Sequence, residues 1–295
     1  MLSRLIACCF LYLSLASGPA LAADRLKAVA SFSILADLVR EVGGERVAVT
    51  SLVGPDADAH SFQPSPAEAR RLKDAGIIVV NGLGLEGWID RLVRASGSNA
   101  PVLVASTGVS PMKGRGGHDH DLDPHAWQDV ANAKLYVAAI RDGLAKADPE
   151  GRVIYEANAA RYIGQLDALD RDIRAGIAAI PPTRREIITT HDAFGYYGRA
   201  YGLTFTAPQG VSTDSEATAA DVARIIRQVK ARKVPAVFLE NISDRRLADR
   251  IAAESGAKIG AKLYSDALSP PGGPAATYLA MMRQNLAAFR AALGE

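Results

Sequence analysis

Four side chains of this 295-residue chain have the chemistry to hold a divalent ion: His60, His125, His191 and Asp266. Three imidazoles and one carboxylate suit Zn2+, which takes tetrahedral nitrogen and oxygen donors where thiolates are absent. The four are scattered along the chain rather than packed as HExxH, so spacing alone decides nothing. Placement says more, because each falls in a loop at or just beyond the C-terminal end of an expected strand. In open α/β sheets that edge is where ligands bind. Three of only five histidines share it. The other two, His118 and His120, alternate with Asp119, Asp121 and Asp123 in a glycine-rich segment. That segment reads either as an auxiliary metal-collecting loop or as a solvated linker.

Neighbouring residues have simpler expectations. Glu240 ends the apolar run VFLE at the same sheet edge, where it could orient a ligand histidine. Helix capping or salt bridging is the commoner role for such a residue. Asp192 is expected to cap the next helix, and Trp127 and Phe62 to be local core.

The elements that must position these residues centre on one helix, expected over 149–180. Asp148 is its expected N-cap, Pro149 suits the first turn, and Pro181 and Pro182 stop it. Ile163, Leu166, Leu169, Ile173, Ile177 and Ile180 recur at helical steps, and such a helix is about 45 Å long. Strand and helix alternate on both sides of it. Before it, strands are expected at 26–30, 47–53, 76–81 and 102–105. Helices are expected from Ser33, as cap, to residue 42, after the capping box Ser65-Pro66-Ala67-Glu68, over 87–95, and over 130–147. After it come strands 186–190, 203–207, 236–240 and 258–264, and helices 193–201, 221–231, 245–255 and 278–293. The expected fold is therefore α/β, with two (β/α)4 lobes of mostly parallel sheet. The N-terminal lobe spans 23–147, the linking helix 148–182 and the C-terminal lobe 183–295.

Residues 1–22 read as a cleavable export signal, with Arg4, a short apolar run and Ala20-Leu21-Ala22. A lipoprotein box at Leu5-Ile6-Ala7-Cys8 fits less well, because too short an apolar run precedes it. Cys8 and Cys9 are the only cysteines, so the mature chain is expected to have no disulfide and no thiolate site. Without the leader, 33 basic residues face 32 acidic ones. So balanced a charge gives no reason to propose nucleic acid or an anionic membrane as partner.

The motifs GPDADAHSFQPSP, LDPHAWQD, THDAFGYYGRAYGL and YSDALS, in this order around one long helix, resemble a known family. It is the cluster A-I metal-binding solute receptors of bacterial ABC importers, which includes ZnuA- and AztC-like zinc receptors. The resemblance covers essentially the whole mature chain. It implies His60, His125, His191 and Asp266 as ligands in a cleft between lobes bridged by a rigid helix. It also implies docking to a membrane permease. A histidine at the third ligand position is associated with zinc in this family and a glutamate with manganese, so His191 points to Zn2+. The short GHDHDLD stretch departs from the long His-rich loop of many zinc receptors.

The expectation is thus a monomeric periplasmic Zn2+ receptor that feeds an ABC importer, with a periplasmic metallochaperone as a further candidate partner. A manganese or iron receptor of the same fold is the alternative. A secreted zinc hydrolase is disfavoured, because four protein ligands leave no position open for water.

Overall fold

The computed structural model describes residues 25–114 and 122–294. The leader with Cys8 and Cys9, and the loop residues His118 and His120, lie outside them. The chain begins with β1 (Leu26–Phe32), α1 (Ser33–Gly43), β2 (Val47–Val53), α2 (Pro66–Lys73), β3 (Ile77–Val80), α3 (Ile89–Ser96) and β4 (Val102–Val104). These strands form a parallel sheet in the order β2-β1-β3-β4. Every residue of β3 is buried, as a strand covered on both faces requires. A small antiparallel ribbon follows, β5 (Met112–Lys113) against β6 (Leu122–Asp123), then α4 (Val130–Ala147) and α5 (Arg152–Ala178). The second half supplies β7 (Glu186–Ile188), α6 (Gly195–Tyr201), β8 (Thr204–Thr206), α7 (Ala219–Arg232), β9 (Ala236–Val237), α8 (Arg245–Ser255), β10 (Lys258–Ile259) and α9 (Tyr278–Leu293). Its strands form a second parallel sheet, β10-β9-β7-β8. The fold is α/β with two lobes and one long helix. No helix of the described residues is long and apolar enough to cross a membrane.

The 27-residue α5 buries Leu166, Leu169, Ile173 and Ile177 as its periodicity requires, with Tyr155, Ala159 and Tyr162 extending the stripe. It packs on α4, α1 and α9. Gly176 lets α9 approach, since a Cβ there would stand 2.8 Å from Leu286 Cδ1. Three caps differ from expectation. The long helix opens through a 3-10 turn, Pro149–Gly151, and Asp148 caps neither. Its carboxylate instead pairs with Arg46 at 2.5 Å, a hydrogen bond that holds its pKa down at about 2. Ser33 is the first helical residue, and its hydroxyl accepts the N–H of Leu268 at 3.0 Å. Asp192 does not cap α6, whose N-cap is Phe194. The capping box at Ser65 and Glu68 is present in full.

Most of the buried apolar side chains form one core running from the first sheet through α4, α5 and α9. A separate small core, including Ile188, Val222, Ile225, Val229, Val237 and Ile251, lies under α7 and α8.

Candidate metal centre

His60 lies in the loop after β2, His125 after β6, His191 after β7 and Asp266 in the segment between β10 and α9. The fold brings all four together. One donor atom from each lies within 4.8 Å of every other, and all four residues are buried. Nε2 of His60 and Nε2 of His125 are 3.2 Å apart. The carboxylate oxygens of Asp266 stand 3.2 Å from His60 Nε2, 3.5 Å from His125 Nε2 and 3.1 Å from His191 Nε2. Tetrahedral donors at about 2.0–2.1 Å from one ion are about 3.3–3.4 Å from each other, so these four separations are those of a coordination shell. Oδ1 of Asp266 is buried without a hydrogen-bond partner. A carboxylate oxygen left so inside a protein is costly unless a cation meets it.

Local structure aims each imidazole. The Asp123 carboxylate accepts the backbone N–H of His125 at 2.9 Å and lies 2.8 Å from its Nδ1. Glu240 does the same for His191: Oε1 accepts the N–H of Thr190 and of His191, and Oε2 is 2.5 Å from Nδ1. With Nδ1–H turned toward a carboxylate, Nε2 is the nitrogen left to bind a metal. A single backbone bridge to Gln209 also holds His191. His60 is placed through Asp58, whose Oδ1 accepts its N–H at 2.9 Å. Across the cleft, Thr213 donates to Asp58 Oδ2 at 2.6 Å and Asn241 to Asp56 at 2.9 Å.

The sequence model of the family described as zinc-uptake complex component A, periplasmic (ZnuA), matches residues 28–292. The chain belongs to the ZnuA family. It is 36% identical over 273 residues to the manganese-binding lipoprotein MntA of Halalkalibacterium halodurans, covering 92% of this chain and 90% of that one. It is 30% identical over 270 residues to the iron ABC transporter substrate-binding lipoprotein MtsA of Streptococcus pyogenes, covering 89% and 87%. Among solved structures it is similar to the periplasmic zinc-binding protein TroA of Treponema pallidum. There the TM-score is 0.87 and the identity 30%, over 92% of this chain and all of that one. As a ZnuA-family chain it is a metal-binding receptor of ABC import, and the family is one of solute receptors rather than enzymes. The relatives' names divide among manganese, iron and zinc.

The electrostatics of this ZnuA-family site suit an ion that displaces protons. Burial alone would push the His125 imidazole down, but the Asp266 and Asp123 carboxylates outweigh it and raise it to about 9. His191, between Glu240 and Asp266, is raised well above the ordinary histidine value despite its burial. Burial pushes Asp266 up, and the two histidines overcome this and hold it well below the usual carboxylate range. Trp127 is core: fully buried, it stacks at 5.3 Å on His125 and at 5.0 Å on Phe32. Phe62 packs on Trp88. Of the residues that support the ligands, Glu240 performs the role judged less common for it. Asp123 was grouped with the polar loop, although its D-x-H spacing to His125 is the signal that would have separated it.

Proposed function

We propose that this chain is a periplasmic receptor that captures Zn2+ between its lobes, 23–147 and 183–295, and delivers it to an ABC-type permease. The observation that carries this is the convergence of three imidazole Nε2 atoms and one carboxylate at tetrahedral spacing in a buried cleft. His60, His125, His191 and Asp266 are the ligands. Asp123 and Glu240 hold two of the imidazoles in the Nε2-binding tautomer. Three nitrogens and one oxygen favour zinc over manganese, which prefers oxygen-rich shells. Four protein ligands leave no open position for a catalytic water, so capture rather than hydrolysis is the function. The leader 1–22 is cleaved after Ala22, and the protein works as a monomer, loaded directly or by a periplasmic metallochaperone.

A second reading is a manganese or iron receptor. It is favoured by the relatives' names and by Asp266, both of whose oxygens lie within 3.5 Å of ligand nitrogens. Bidentate binding through both would raise the coordination number beyond four. Mass-spectrometric metal analysis of protein isolated from its native compartment separates the two. About one zinc per chain is expected, with affinity at least about tenfold weaker in His191→Ala. Manganese or iron as the resident ion, or zinc binding indifferent to His191, would contradict the zinc assignment.

A further inference from the structure

Asp266 belongs by sequence to the C-terminal lobe, yet its segment is fastened to the N-terminal one. The carbonyl of Ser265, directly before it, accepts from Trp127 Nε1 at 3.0 Å and from Gln128 Nε2 at 2.8 Å. Both donors sit in the 3-10 turn that follows His125, Ala126–Gln128. Beyond Asp266, the N–H of Leu268 donates to Ser33 Oγ, and its carbonyl accepts the N–H of Asp56 at 2.9 Å. The end of the segment is held in the same way. The N–H of Tyr278 donates to the Asp37 carboxylate at 2.8 Å, and its hydroxyl donates to the carbonyl of Trp127 at 2.7 Å. Against these six bonds, the other lobe supplies one from Asn241 Nδ2 to the Ala267 carbonyl at 3.1 Å.

The donor atoms divide along the same line. His60, His125 and Asp266 make a triangle with edges of 3.2, 3.2 and 3.5 Å, which is one face of a tetrahedron. His191 joins that face through Asp266 at 3.1 Å. His191 is itself bound to Glu240, and β7 and β9, which lead to these two residues, contribute Ile188 and Val237 to the separate core under α7 and α8.

We infer that Trp127 and Gln128 are positioning residues that carry Asp266 with the N-terminal lobe, so that the ligands divide three to one and His191 alone parts from the ion when the cleft opens. This rests on the receptor reading above and refines it with an order of events. An incoming ion meets a preformed three-ligand face, and His191 binds last. On delivery His191 leaves first, which frees one coordination position to an outside ligand while three bonds still hold the ion.

The test uses the chain from residue 23 onward, which contains no cysteine. Spin labels are placed in pairs by Ala95→Cys in α3, Pro274→Cys in the Asp266 segment and Ala253→Cys in α8, all at exposed positions. Pulsed dipolar distances are measured with zinc and after its removal by chelator, with bound zinc counted by mass spectrometry. Removal should leave the 95–274 distance unchanged, while 95–253 and 253–274 shift by about 2 Å or more. Gln128→Leu, which keeps the volume and loses the donor, should broaden the 95–274 distribution and weaken zinc binding about tenfold. A 95–274 distance that shifts with 95–253, no shift in any pair, or a wild-type distribution in Gln128→Leu would overturn the inference. Labelled protein that binds no zinc would overturn the receptor reading as well, and bound zinc with a moving segment this inference alone.

Discussion

Imidazoles that bind a metal must first give up their protons, and here the carboxylates that aim them also raise their pKa values. The sign follows from His125, raised from about 6.5 to about 9 in the folded, metal-free chain. Its contribution to the metal-free fold is fully present below about pH 6.5 and is lost as pH rises through about 9. Asp266, held down, contributes above the ordinary carboxylate range and loses that contribution as pH falls below it. Zinc competes with protons on His125 and His191, so affinity should rise with pH up to about 9 rather than levelling near 6.5. Calorimetric titration at pH 7 in buffers of different ionisation enthalpy should show about one to two protons released per ion. No proton release at pH 7 would contradict this electrostatic account. The ligands were legible because their residue types and loop positions agree with one another. The supporting carboxylates were harder to read, because an acid at a strand end or before a helix has several ordinary roles, and only the tertiary contact of Glu240 with His191 chooses between them.

Elements with a long periodic stripe were legible almost to the residue, and short ones were not. α4 has the expected limits, and α5 lies within its expected span with its 3-10 entry and cap changed. Asp148 was drawn from its capping role by Arg46, a partner 102 positions away that no local pattern discloses. In the second sheet β9 and β10 are two residues each, shorter than expected, with a single bridge between Glu240 and Leu263 continuing their pairing. The ribbon of β5 and β6 escaped notice because two residues on each side give no alternation to read. The stripe of α5 joins both halves of the main core, so its removal should be felt globally. Ile173 is fully buried, and Ile173→Ala should lose about 2–5 kcal/mol in urea unfolding of the metal-free chain. A loss below about 1 kcal/mol would mean that the helix packs more loosely than its burial indicates.

At the scale of the molecule, two parallel sheets turn the C-terminal ends of their strands toward one cleft, and the long helix spans the lobes behind it. This much was legible, since alternation of strand and helix leaves few other architectures. The choice of ion was less so, because it depends on donor distances and on one or two bonds from Asp266, which chain order does not set. Ligand allegiance also departed from chain order, with Asp266 tied to the lobe that its sequence position does not suggest. The central claim is that these four side chains enclose a single ion. X-ray absorption at the zinc edge of the loaded protein tests it most directly. Three imidazoles and one carboxylate oxygen at about 2.0–2.2 Å are predicted, with one imidazole fewer in His191→Ala. A shell with fewer than three imidazoles, or one left unchanged by His191→Ala, would contradict it.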